Sequence, residues 1–470
     1  MSYIQRITSF YKSNSVFIWI SSIYLLMIYF FRNLPFFWDM TYISEVADTI
    51  FISDFQQFIN PAIDNGTPPL FSLMLAILWF VFSKSLWVSH LLTATFVVGF
   101  LWQTNRLCHR FLPEKSKIFV LILLFADPVF LTQSILITYD FAILFFTLLA
   151  FNSLLENKRW WLVFALLPVP LLNLRGFSFV IMIFLMDFFI HRKNLKIKLL
   201  LSYIPAFVIM LSWMVYHRSI TGFYVVSPGN NAYHTLVDLQ YFGKSFLLAL
   251  WKVLDFNRFI IILSGVFVWY FQWKRKFGFN LVSIFGIFSF LIFLFVFLLF
   301  RYPLSHRYLM LTMFVISFVF VQLLTFYSFS RQILLISFAI LLLVIGNFHH
   351  YPQKYGNAWD CSLKGINYLH LKRDVLSDLK RNGKNNCTIA SFFPEIRDQK
   401  YAYLNDEFQM HFVDFKTENL KNVDFVMYSN TFNILPLSLS ELENKGFRFY
   451  KNYQNGFAKI SLYQNISKIN

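Results

Sequence analysis

The stretch PPLFSLMLAILWFVFS, residues 68–83, decides how the chain is threaded, because every later segment changes side according to whether it crosses a membrane. It opens on two prolines and has 16 residues, where a helical span of a bilayer needs about 20. Around it lie apolar runs at 14–31 and 87–105. Further runs follow at 118–134, 141–155, 160–173, 176–190, 199–216, 258–273, 280–300, 308–325 and 331–347. Basic residues gather between these runs. The clusters are Arg6/Lys12, Arg106/Arg110/Lys115/Lys117, Lys158/Arg159, Arg192/Lys193/Lys196/Lys198, Lys274/Arg275/Lys276 and Arg331. Each successive pair of the later clusters encloses two runs, a helical hairpin, so all of them can share the cytoplasmic side. Only the first interval, from Lys12 to Arg106, holds three. Parity is restored if 68–83 lies at the membrane surface or dips into it. About eleven spanning helices and a cytoplasmic N-terminus follow from that reading.

Composition agrees. Of 470 residues, 57% are hydrophobic and only 14% are charged, whereas a soluble domain carries about 25% charged residues. The 62 phenylalanines exceed the needs of one soluble core. These numbers exclude a disordered chain, a collagen-like fibre and an ordinary cytosolic enzyme. The net charge of +17 sits in the short loops just named, so it reflects membrane orientation, and no nucleic-acid partner is expected. Arg6 and Lys12 precede an apolar run with no small-residue cleavage site after it, which reads as an uncleaved first span.

The remaining loops are then extracytoplasmic: a long one at about 32–86, a short one around Tyr139–Asp140, one holding Arg175, a large one at 217–257 and a tight one at 301–307. Residues 1–347 form the membrane domain. Residues 348–470 are more polar and are read as a small extracytoplasmic α/β domain. It has helices over 362–379 and 438–445, short strands near 387–393 and 424–428, and a hairpin at Asn455–Gly456. Cys361 and Cys387 both fall in this outer domain, paired or free, and Cys108 lies beside a cytoplasmic cluster.

Polar residues that carry chemistry gather at outer membrane ends. Asp39, in Phe36-Phe-Trp-Asp-Met-Thr-Tyr42, lies just past the first span, where it is a base or an interfacial cap. Glu45 and Asp48 follow at helical spacing and read as a solvated face. Asp140 opens a helix, where an acid also suits the macrodipole. Asp127, before Pro128, is a carboxylate at membrane depth: a functional group, or a neutral or paired acid at a kink. Arg175 stands against the positive-inside trend, and the pair His306–Arg307 sits at the mouth of the helix beginning near Tyr308. They are snorkelling anchors or contacts for phosphate oxygens, which guanidinium prefers. His217, Arg218, His234 and Asp238 in the large loop are further candidates, without metal-ligand spacing. No P-loop, GxGxxG or nucleophile elbow occurs.

The order of these motifs resembles the GT-C superfamily of membrane glycosyltransferases, and within it the bacterial relatives of protein O-mannosyltransferases and lipid A aminoarabinose transferases. The resemblance covers roughly residues 10–345. It rests on Asp39 in the first outer loop, Thr67-Pro-Pro-Leu-Phe71, Asp140 after an Ala-Asp-Pro segment, Arg175–Gly176 and His306-Arg-Tyr-Leu309. It implies Asp39 and Asp140 as catalytic acids and Arg307, with His306 and Arg175, as donor-phosphate contacts. Asp127 and His234 are accessory. Relatives often have Asp-Glu where this chain has Asp39–Met40, His-Pro-Pro where it has Thr67-Pro-Pro, and more than a lone Asp140. Those departures leave the involvement of a divalent metal open.

The expectation is therefore an inner-membrane, multi-pass glycosyltransferase with its active site facing outward. Its donor is a hexose or pentose on a polyprenyl phosphate, and its acceptor is an extracytoplasmic lipid, glycan or protein. Transfer is an inverting single displacement with Asp39 as base. A transporter or flippase of a lipid-linked glycan is the alternative. It would call for midplane acids and repeated halves, and the sequence shows no internal repeat.

Overall fold

In the computed structural model, the described residues are 3–192, 200–225, 237–272, 280–298, 304–352, 357–415, 420–432 and 438–468. The chain is mostly helical and divides into two compact units. The first comprises Met1–Phe30, Ile59–Phe71 and Leu92–Gly346, and the second Phe31–Phe58, Ser72–Leu91 and Asn347–Asn470.

The helices with apolar sequences carry their backbone hydrogen bonds internally, as lipid requires. Among the described residues four are long and apolar enough to cross a membrane: Asn14–Phe31, Leu86–Phe111, His306–Leu324 and Phe329–Gly346. A bent pair, Glu114–Ala126 with Pro128–Ile135 at 71°, makes a fifth if it counts as one span. Six further apolar helices are shorter, among them Asp140–Leu155, Gly176–His191, Arg258–Phe271 and Leu281–Leu294. The sequence reading expects about eleven. Several ends of the shorter helices adjoin residues outside the description, at 193–199, 273–279 and 299–303.

Within the first unit, α1 (Tyr3–Phe31) shows Trp19, Ile23, Leu26 and Phe30 outward, an apolar face suited to lipid. The centre is aromatic. Phe100 meets Phe130, Phe141 and Phe314, and Phe151 stacks on Phe285 with ring centroids 4.0 Å apart. The helix Asp140–Leu155 is buried over nearly its whole length. A short turn, Val169–Leu172, precedes the helix Gly176–His191. A Cβ on Gly176 would stand 1.8 Å from the Val169 carbonyl oxygen, so only glycine lets that helix begin against this turn. Arg175 is fixed directly before it.

The second unit has a five-stranded sheet in the order β2-β1-β3-β5-β4, built from β1 (Thr388–Ser391), β2 (His411–Asp414), β3 (Phe425–Ser429), β4 (Phe447–Asn455) and β5 (Ala458–Asn465). β1 runs parallel to β2 and β3, while β5 is antiparallel to β3 and β4. The β4–β5 hairpin turns at Gly456, whose φ of 57° suits glycine, as the Asn-Gly signal predicts. The helix Lys364–Arg381 covers the sheet with Tyr368, Leu369, Val375, Leu376 and Leu379, spaced as one face of a helix. The first loop belongs to this unit. Phe36 donates from its backbone nitrogen to Ala402 (2.9 Å), and Phe37 meets the Tyr368 ring edge-on. Cys361 and Cys387 are both buried, and no disulfide joins them.

The stretch 68–83 contains the helix Leu70–Val81, 12 residues long. At about 1.5 Å per residue it reaches about 18 Å, against about 30 Å of hydrocarbon. In the second unit it buries Ser72, Leu75, Ala76 and Trp79 on one face and shows Ile77, Phe80 and Val81 on the other. The Ser72 hydroxyl donates to the Ile43 carbonyl (2.9 Å), and the Trp79 indole donates to Ser89 Oγ (2.9 Å).

Candidate active site

Three of the sequence candidates come together in the first unit. Asp140 is the first residue of its helix, and Thr138 holds it there. The Thr138 hydroxyl accepts from the Asp140 backbone nitrogen (3.0 Å) and donates to Asp140 Oδ2 (3.3 Å). Thr138 is itself tied back, its backbone nitrogen donating to Thr93 Oγ1 (3.3 Å). Opposite stands Arg175. The Asn173 side-chain oxygen accepts from Arg175 N (3.0 Å) and Nε (3.2 Å), while its amide donates to the Tyr139 hydroxyl (3.0 Å). Clamped in this way, Arg175 directs Nη2 at Asp140 Oδ1, at 2.9 Å. Arg307 approaches the other carboxylate oxygen, Nη1 to Oδ2, at 3.8 Å, an ion pair longer than a hydrogen bond.

Tyr308 joins the two arginines. Its ring lies 4.0 Å from the Arg175 guanidinium carbon and 5.4 Å from that of Arg307, both within cation–π reach. Asp140 is 4% exposed and Arg307 7%. The cluster carries two positive charges and one negative at the starts of two helices and in a 3-10 turn, a setting that suits a phosphate oxygen.

His306 does not join this group. Its Nε2 donates to Asp255 Oδ2 at 2.8 Å, because the short 3-10 turn His306–Leu309 points adjacent side chains in different directions. Asp127 proves to be a paired acid at a kink. Arg258 holds both its oxygens, with Nη2 to Oδ1 at 2.8 Å, and Oδ1 also caps the helix Pro128–Ile135 through Val129 N (2.9 Å). Burial of a carboxylate beside a guanidinium explains its depth without catalysis. His217 pairs with Asp64 (3.0 Å), Arg218 with Tyr224, and Asp238 caps the helix Leu239–Leu254. His234 lies outside the described residues.

Asp39 belongs to the second unit. It is half-buried and precedes the helix Met40–Ile52 without capping it through its side chain. Glu45 and Asp48 do not form a solvated face. Glu45 pairs with Arg397 at 3.1 Å and Asp48 with Lys84 at 2.6 Å, all four largely covered. Burial raises the Glu45 carboxyl above its ordinary range, with Arg397 working against the shift. Helical spacing placed both acids on one face, but their partners come from distant sequence, which no local pattern reveals.

Thr138, Asn173, Tyr308, Asp255 and Arg258 were not singled out in the sequence. Asp255-Phe-Asn-Arg258 carried the one usable signal, an acid and a base three apart where a loop enters an apolar run. Among the described residues, no three His, Cys, Asp or Glu side chains are grouped to hold a metal ion. The surroundings of Asp140 are two guanidiniums, a donor set that does not fit a divalent cation there.

The fold is that of ArnT from Cupriavidus metallidurans. The crystal structure of that protein bound to undecaprenyl phosphate matches with a TM-score of 0.57 and 11% identity, covering 97% of this chain and 99% of the other. Its apo state matches with a TM-score of 0.54 and 13% identity, covering 96% and 98%. The resemblance drawn from short motifs over residues 10–345 thus extends, as a fold, over almost the whole chain. No protein-family model matches the chain, and neither does any curated protein sequence.

Proposed function

We propose that this chain is an integral-membrane glycosyltransferase that moves a sugar from a polyprenyl-phosphate donor to an extracytoplasmic acceptor. The observation that carries the reading is the buried Asp140–Arg175–Arg307 cluster, set in a fold shared with a protein crystallised with undecaprenyl phosphate. In the reaction, the bond between the anomeric carbon and the donor phosphate breaks as the acceptor oxygen attacks. The departing polyprenyl phosphate gains negative charge. Arg307 and Arg175 stabilise that charge, which is electrostatic catalysis by groups already in position. Asp140 is their shared counter-ion and sets their spacing. Asp39 keeps the role its sequence setting implies, general base on the acceptor hydroxyl, and a single displacement inverts the sugar carbon.

The test is transfer by purified protein from a panel of polyprenyl-phosphate hexoses and pentoses, with free polyprenyl phosphate measured as the second product. Release of that lipid coupled to glycosylated acceptor supports the reading. Movement of lipid-linked glycan across a vesicle membrane without transfer would replace it with the flippase.

A further inference from the structure

The corner Asp255-Phe-Asn-Arg258 has no part in the proposed chemistry, yet the fold secures it from four directions. Phe256 and Asn257 both take positive φ, 54° and 64°, a conformation that non-glycine residues adopt only where their surroundings impose it. Arg258 grips Asp127 at the bend between Lys117–Ala126 and Pro128–Ile135, and also donates to the Lys252 and Asp255 carbonyls, both at 3.3 Å. The Asn257 amide donates to the Leu342 carbonyl (2.8 Å). Gly346 admits the Phe256 backbone, where a Cβ would stand 2.8 Å from its oxygen. The fourth tie is Asp255 itself. Oδ1 accepts from the Phe256 nitrogen (2.7 Å), and Oδ2 accepts from His306 Nε2 (2.8 Å). The Phe256 and His306 rings also meet, with centroids 5.1 Å apart.

His306 is the residue before Arg307. It begins the 3-10 turn that carries both Arg307 and Tyr308. A 3-10 turn has weaker hydrogen bonds than an α-helix, so this one needs outside support to hold a long guanidinium side chain in place. We infer that Asp255 is a positioning residue for Arg307, acting through His306 to lock the turn that presents the guanidinium to the donor phosphate. This rests on the transferase reading of the cluster. The strained corner is the fixed point, Asp255 is the strut and His306 is the joint. A displacement of the guanidinium by about 1 Å is enough to cost about 10²-fold in rate.

A double-mutant cycle tests it on the full-length purified protein, using whichever polyprenyl-phosphate sugar the panel above identifies as donor. Arg307→Ala, Asp255→Ala and the double variant are compared by kcat and KM for the donor, with thermal unfolding in detergent as the fold check. Asp255→Ala alone is expected to lower kcat/KM for the donor about 10- to 10²-fold. Asp255→Asn should recover much of that loss, since an amide oxygen still accepts from His306. In the Arg307→Ala background, Asp255→Ala should cost less than about 2-fold, because the group it positions is gone. Losses that multiply fully in the double variant would overturn the inference, and so would wild-type donor use by Asp255→Ala. If Asp255→Ala does not fold, His306→Ala takes its place in the cycle with the same criteria. If Arg307→Ala leaves donor use intact, the phosphate-binding reading falls and the inference falls with it. Losses that multiply while Arg307→Ala is itself impaired overturn the positioning role only.

Discussion

Arg175 and Arg307 approach opposite oxygens of one carboxylate, Asp140, at 2.9 and 3.8 Å. Both oxygens of this acid therefore face guanidinium groups and are engaged by them. It serves as a counter-ion that lets two guanidiniums lie near each other in a buried place. Asp140→Ala leaves both without it, and removal of one partner from a buried ion pair costs about 3–5 kcal/mol. The expected result is a large fall in unfolding temperature together with lost transfer. Asp140→Asn should unfold at a temperature nearer wild type. A variant at Asp140 with wild-type stability and no turnover would instead point to direct chemistry.

Arg307→Ala should remove charge stabilisation that is strongest when the donor phosphate departs. Such donors are typically worth about 2–4 kcal/mol, or about 10²–10³ in kcat. Arg307→Lys keeps the charge but loses the planar fork and much of the stacking on Tyr308, so it should be intermediate. Steady-state kinetics at matched protein levels decide this. Unchanged kcat in Arg307→Ala would assign the residue to anchoring at the interface.

The short helix Leu70–Val81 bears on topology. If it lies at the surface, positions 39 and 84 share the outer side. A membrane-impermeant thiol reagent should then label single cysteines at both in intact cells, in a background without the three native cysteines. Labelling at 39 with protection at 84 until lysis would show that the segment crosses.

Much of the fold was legible because its signals are local. Apolar runs, basic clusters and the Asn455–Gly456 turn each announce themselves within a few residues. Asp140, Arg175 and Arg307 stood out for a related reason: a charged residue at the end of an apolar run is rare enough to notice. Their mutual arrangement was not legible, since Asn173 and Tyr308 are ordinary residues until the chain folds. Asp48 and Glu45 were misread for the same cause. Lys84 and Arg397 neutralise them from 36 and 352 positions away along the chain.

The sheet unit should show acid sensitivity of known sign. Asp378 accepts from Lys451 Nζ (2.8 Å) and the Tyr453 hydroxyl (2.5 Å), and these hydrogen bonds hold its carboxyl below the ordinary range. A depressed carboxyl contributes stability above the unfolded value, about 3.9, and loses it as pH falls through the folded value. Asp378→Asn should therefore lower the unfolding temperature at pH 7 and converge with wild type once the pH has fallen below the folded value. The Lys451–Asp378 pair is partly exposed, so the difference is small and shrinks further in salt. An equal difference at both pH values would mean that the asparagine acts through packing.

The assignment of Asp39 as base makes a sharper demand. Asp39→Asn keeps the size of the side chain and an accepting oxygen but takes no proton at neutral pH. General-base assistance is worth about 10²–10⁴-fold, so turnover should fall by that amount while KM for the donor stays near wild type. Asp48→Asn is not a silent control, because it breaks the partly buried pair with Lys84. Asp54→Asn is the better one: the residue is exposed, and its φ of 50° is one that asparagine tolerates. Product formation by Asp39→Asn, Asp54→Asn and wild type at matched membrane levels separates the cases. Wild-type turnover by Asp39→Asn would leave Asp39 as an interfacial acid before the helix Met40–Ile52, and the base would then have to be sought among the other carboxylates of the chain.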